Sequence, residues 1–147
     1  SIQPEDFPMA MFLFDLDNLK YTNDSLGHTT GDKLLKHFAS VLRQNTRSGD
    51  ILCRFGGDEF AVILKGMRSA SAVLRKSADI VRDTAKFILP DGTGATCSGG
   101  VVLCESEKVP MALCLERADQ ALYQAKRQQK GGCVLWEGDM DSPSGQA

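Results

Sequence analysis

The apolar positions of this chain repeat with two different periods, and the switches between them predict alternating strands and helices. Met9 to Phe14 is a continuous apolar run, which suits a central strand buried on both faces. From Gly31 to about Arg47 the period lengthens: Leu34, Phe38 and Val41 share one helical stripe, with Leu35 and Leu42 beside it. Asp50 to Phe55 and Glu59 to Leu64 then form two apolar runs around Gly56-Gly57, a primed-turn signal that predicts a hairpin. Between Ser69 and Leu89, Ala70, Leu74, Ala78, Val81, Ala85 and Ile88 step by three and four, which predicts a second amphipathic helix. A third strand, or a bent pair, is expected from about Thr93 to Cys104, with Gly99-Gly100 marking a bulge or a close backbone approach. Pro110 suits a first helical turn and opens a last helix carrying Met111, Leu115, Ala118, Leu122 and Ala125 on one face. Cys133 to Trp136 closes the pattern as a short strand. This order predicts the α/β (α+β) class, one mixed sheet packed against helices.

Composition narrows what such a fold can do. The 147 residues suit one domain, with a core from about residue 9 to 136 and a short polar tail over 137–147. Seventeen basic and 19 acidic residues give a net charge of −2, so there is no basic field for duplex nucleic acid. No apolar run approaches the ~20 residues of a membrane span. The opening SIQPEDFP lacks the charged and apolar regions of a signal peptide, and a cytoplasmic setting is expected. The five cysteines are odd in number and show no CxxC pair, so they read as small buried hydrophobes in a reducing compartment. The exposed faces are expected to be polar, without a long apolar stripe.

The carboxylates are more informative. Asp15 and Asp17 stand where the first strand emerges from the core, and Asp58 and Glu59 follow the Gly-Gly of the hairpin. A hard dication takes oxygen ligands and commonly borrows one or two protein carboxylates plus substrate phosphates. If the hairpin lies beside the first strand, Asp15 and Asp58 can share such an ion. Acids also favour strand ends and turns for solvation alone, and either pair by itself decides nothing.

Longer motifs add to this. Arg54 to Phe60 reads RFGGDEF, the signature of the GGDEF diguanylate cyclases, and Phe14 to Asp32 (FDLDNLKYTNDSLGHTTGD) resembles that family's FDIDxFKxxNDxxGHxxGD segment. Ala118 to Lys126 (ADQALYQAK) is similar to its ADxALYxAK helix, and Cys97 to Val101 to its small-residue strand. The resemblance implies a mainly antiparallel sheet like that of nucleotidyl cyclases and polymerase palm domains. It implies condensation of two GTP into cyclic di-GMP, with magnesium (or manganese in its place) as cofactor. Asp15, Asp58 and the carbonyl of Leu16 would hold the metal; Asp58 and Glu59 would be the catalytic pair, with Glu59 completing the acidic cluster either as a ligand or as a proton acceptor. Asn18 and Leu19, through their backbone, and Lys20 and Lys126, through their side chains, would face the triphosphate. Asn23 and Asp32 would read guanine, while Gly56 and Gly57 would let the turn approach the nucleotide. His28 is read as holding its loop. Arg47 and Asp50 form an RxxD, with Arg47 nine positions before Gly56, and would bind cyclic di-GMP as a product-inhibition site.

The resemblance also implies a transient homodimer, since one chain supplies one GTP site, and an upstream sensor or dimerising domain. Two departures stand out. The family's DxLTGLxNR segment is not among these residues, and Gln129-Lys130-Gly131 replaces its GRN, leaving Lys130 where an arginine would face phosphate. The alternative reading is a catalytically silent member that binds GTP or cyclic di-GMP and regulates a partner.

Overall fold

The computed structural model describes residues 2–128 and 131–138. Five strands alternate with four helices: β1 (Met9–Leu16), α1 (Leu19–Leu26), α2 (His28–Gln44), β2 (Ile51–Phe55), β3 (Glu59–Lys65), α3 (Ala70–Thr84), β4 (Cys97–Cys104), α4 (Met111–Gln128) and β5 (Cys133–Leu135). The sheet runs β2-β3-β1-β4-β5, antiparallel throughout except for the β4–β5 pair. Among the described residues no helix is long and apolar enough to cross a membrane.

The unbroken apolar run of β1 is buried along its whole length because helices cover both faces of the central strand. Ala10, Phe12, Phe14 and Leu16 meet Leu34, Phe38 and Val41 of α2 and Val73 and Ile80 of α3 in the larger core cluster. Phe38 sits edge-on to Phe14 at 5.8 Å and to Phe60 at 5.2 Å, the aromatic geometry that ring quadrupoles favour. On the opposite face Met9, Met11 and Leu13 pack under Cys114, Ala118 and Leu122 of α4. α4 lies so close to β4 that a Cβ at Gly100 would overlap the Ala118 carbonyl oxygen and the Leu122 amide nitrogen. Of the two readings of Gly99-Gly100, close backbone approach is therefore the one found.

Several expectations need correction. α1 was not legible from periodicity, because it is short and buries only Leu19 and Thr22. α2 starts at His28, before Gly31. The hairpin loop has three residues, Gly56, Gly57 and Asp58, and of its two glycines only Gly56 takes a positive φ (74°), so it is not a two-residue primed turn.

α3 ends at Thr84 rather than at Leu89, and apart from Val81, which packs against the core, its expected stripe lies off the buried side. Its buried side is Val73, Ser77, Ile80 and Thr84, while Leu74 and Ile88 are exposed. The Ser77 and Thr84 hydroxyls donate to the carbonyls of Val73 (3.0 Å) and Ile80 (2.7 Å), so two polar side chains are satisfied within their own helix. In α4, Met111 and Leu115 are exposed, and Cys114 and Ala121 join Ala118, Leu122 and Ala125 in the buried face. Cys53 is exposed, whereas Cys97, Cys104 and Cys114 are buried as expected. The surface is also less uniformly polar than composition suggests. Beside α4, a groove of about 430 Å³ exposes Phe55 and Leu115 between Glu59, Glu116 and Asp119.

Candidate active site

β1 delivers two aspartates to one end of the sheet, and their surroundings separate them. Asp15 is the last residue of β1 paired on both sides by sheet neighbours, Glu59 of β3 and Ser98 of β4. It continues the alternation of Met11 and Leu13, so its side chain leaves toward α4, where Lys126 forms an ion pair with Oδ2. Oδ1 is buried and, among the described residues, meets no hydrogen-bond donor. Burial raises the Asp15 carboxyl to about 6; the bond from Lys126 opposes this, and the nearby Asp58 carboxylate adds to it. A buried acceptor without a donor is costly, and it is the electrostatic condition a cation would relieve.

Asp15, Leu16, Asp17, Asn18, Leu19, Lys20, Asp58 and Lys126 line one cavity of about 300 Å³. A second opening of about 370 Å³ continues from it, sharing Leu19, Lys20 and Asp58 and adding Asn23, His28, Arg54 and Gly57. Of the residues the resemblance singles out, Asp15, Leu16, Asn18, Leu19, Lys20, Asp58 and Lys126 line the first cavity, brought together from β1, α1, the hairpin loop and α4. Asn18 caps α1 from the left-handed region at φ 60°, which turns the chain sharply between strand and helix. Asn23 is set against α2, where a Cβ on Gly31 would overlap its carboxamide oxygen. Gly31 is therefore part of the site's construction, a role that the helical pattern alone did not reveal.

Other foreseen residues lie further out. Asp32 is exposed on α2 next to Gly31 and lines neither cavity. Glu59 points toward the α4 groove, with Oε2 3.2 Å from where a Cβ on Gly56 would be. Lys130 lies outside the described residues.

Arg47 and Asp50 form a compact turn. The Asp50 carboxylate accepts from the amides of Arg47 (2.9 Å) and Lys65 (2.9 Å), and Arg47 donates to the Lys65 carbonyl at 2.6 Å while remaining exposed. Arg54, quoted in the signature but given no role, donates to the Gly57 carbonyl at 2.6 Å and lies over the Phe60 ring, tying down the hairpin loop. No group of three or more His, Cys, Asp or Glu that could hold a metal is found among the described residues. A cation here would rest on two carboxylates and the Leu16 carbonyl, with other ligands from substrate, which is how magnesium is commonly held.

Residues 1–132 match the family described as "Diguanylate cyclase, GGDEF domain". The chain belongs to the GGDEF family. Diguanylate cyclase TpbB of Pseudomonas aeruginosa strain UCBPP-PA14 is 39% identical over 133 residues, covering 88% of this chain and 30% of the relative. The solved GGDEF-only fragment of TpbB from P. aeruginosa superposes with a TM-score of 0.75 at 35% identity, covering 88% of this chain and 77% of that one. The GGDEF domain of DgcB from Caulobacter crescentus, solved in complex with c-di-GMP, gives 0.79 at 28% identity over 88% and 78%. The mixed sheet and four helices described above are those of GGDEF structures.

Proposed function

We propose that this GGDEF domain is a diguanylate cyclase that joins two GTP molecules into cyclic di-GMP and releases two pyrophosphates. The observation that supports this best is the Asp15 carboxylate, buried with one oxygen that meets no donor among the described residues, next to Asp58 in a cavity edged by Lys20 and Lys126. Asp15, Asp58 and the Leu16 carbonyl would hold magnesium, with manganese as a substitute. When bound there, the ion would neutralise phosphate charge and lower the pKa of an attacking hydroxyl.

The remaining work falls to this chain's own groups. Lys20 and Lys126 supply positive charge to the triphosphate, and Lys126 exchanges part of its pairing with Asp15 for phosphate. The amides of Asn18 and Leu19 face the phosphates across the sharp turn that ends β1. Asn23 offers a guanine-reading carboxamide in the second opening, and Asp32, exposed on α2 outside both cavities, accepts from the part of the base edge that projects beyond them. A ribose 3′-hydroxyl then gives up its proton to solvent and its oxygen forms a bond to the α-phosphorus of the opposite GTP as the bond to pyrophosphate breaks. Because one chain carries one such site, the reaction takes place between two chains facing each other about a two-fold axis.

The test is incubation with GTP and magnesium followed by chromatography for cyclic di-GMP at several protein concentrations. The reading predicts product, and a rate per chain that rises with concentration. GTP binding without product would favour the silent binding module instead. A constant rate per chain over a hundredfold dilution of a strictly monomeric protein would overturn the two-chain mechanism.

A further inference from the structure

Asp17 is the other aspartate of the strand end, and nothing in the proposed chemistry uses it. It is buried, yet both carboxylate oxygens are satisfied: Ser98 Oγ donates to Oδ1 at 2.7 Å, and Thr96 Oγ1 donates to Oδ2 at 2.7 Å. Its amide donates to the Thr96 carbonyl at 3.0 Å, so side chain and backbone are both fastened to the start of β4. The next residue is Asn18 in the left-handed region, whose carbonyl accepts the Thr22 amide at 2.9 Å and so begins α1. The three bonds therefore fix the chain immediately before the turn whose residues Asn18 and Leu19 line the cavity. A non-glycine residue at φ 60° costs free energy and persists only where its surroundings hold it.

We infer that Asp17 is a positioning residue: through Ser98 and Thr96 it sets the direction of the β1–α1 turn, and thereby the grip of that turn on the phosphates of the nucleotide. The inference rests on the cyclase reading and adds a residue to it. It makes a distinction that general destabilisation does not. A turn that faces phosphates matters in proportion to the phosphates present, whereas the base is held elsewhere, by Asn23 and α2. Asp17→Ala frees the turn; Asp17→Asn keeps one acceptor and should restore part of the function; Thr96→Val removes the single hydroxyl bond from the residue before β4 and leaves the aspartate in place.

The experiment measures binding of a GTP analogue with a non-hydrolysable α–β linkage and, by competition, of guanosine, for wild type and the three variants, alongside thermal melting. Asp17→Ala should weaken the triphosphate analogue by about tenfold or more while guanosine changes by less than about twofold. Asp17→Asn and Thr96→Val should lie between it and wild type. If Asp17→Ala does not fold, Thr96→Val carries the same comparison with a smaller loss. Equal losses for both ligands, or no loss for either, would overturn the positioning role while leaving the cyclase reading intact. A wild-type protein that binds neither ligand would sink the cyclase reading and this inference with it.

Discussion

Asp15 and Asp17 are two residues apart on one strand end, both buried, and they are in opposite electrostatic conditions. Among the described residues Asp15 has one oxygen with no donor, one lysine on the other oxygen, and a carboxyl raised to about 6 by burial. Asp17 has a hydroxyl donor on each oxygen and a backbone bond to Thr96, just before β4. A carboxylate whose acceptors are filled rigidifies the fold. One whose acceptors are left open is poised to take a cation or a proton. The difference arises where β4 begins: Thr96, just before the strand, and Ser98, within it, place their hydroxyls on Asp17, while Asp15 is turned toward α4. Hydrogen-bond satisfaction, more than burial, separates the open carboxylate of this strand end from the fastened one.

The largest expected effect removes the second carboxylate on the reactive side. Asp58→Ala should lower cyclic di-GMP production by more than about a hundredfold, with melting unchanged within about 3 °C, because the loop it occupies lies outside the core. Activity above about a tenth of wild type would place the chemistry elsewhere. A smaller but selective loss is expected from Gly31→Ala, whose methyl group must displace the Asn23 carboxamide. The KM for GTP should rise by about tenfold, whereas a variant with unchanged KM would remove Asn23 from base recognition.

The contrast in satisfaction also makes a stability prediction. The Asp15 carboxyl is raised from 3.8 to about 6 on folding, so the folded chain holds this proton more tightly than the unfolded one. That contribution is fully present below about pH 4 and is lost as pH climbs through about 6. Asp15→Asn is neutral at every pH. It should therefore exceed wild type in stability by roughly 1–3 kcal/mol above pH 7 without added magnesium, with the gap closing toward pH 4. Denaturant titrations at pH 4.5 and 8 would check this, and a variant less stable than wild type at pH 8 would contradict the open acceptor.

The smallest effect is expected at the RxxD turn. Arg47 is exposed and anchored on one carbonyl, so Arg47→Ala should leave melting within a few degrees of wild type and weaken cyclic di-GMP binding. Unchanged product affinity by calorimetry would reduce this pair to a turn built around Asp50.

Where the sequence succeeded and where it failed follows from the same physics. β1, the hairpin and α4 were legible because apolar runs and signature strings are local, and the motifs named most of the residues lining the first cavity. The buried face of α3 was missed because Ser77 and Thr84 satisfy their hydroxyls on their own helix, which lets polar residues occupy positions that periodicity assigns to hydrophobes. α1 was missed because eight residues with two buried side chains carry too little pattern. The division between Asp15 and Asp17 was not legible at all, since the partners of Asp17 are 79 and 81 residues away. The seat of Asn23 against Gly31 likewise exists only once α1 and α2 are packed.

The central claim is that Asp15 carries chemistry and Asp17 carries structure, and turnover of GTP by Asp15→Asn and Asp17→Asn under identical conditions tests it most directly. The account predicts that Asp15→Asn makes no detectable cyclic di-GMP at any GTP concentration while melting no lower than wild type at pH 8. It predicts that Asp17→Asn melts lower and retains activity that recovers as GTP is raised. Asp15→Asn turning over within about tenfold of wild type, or Asp17→Asn remaining inactive at saturating GTP with unchanged melting, would contradict it.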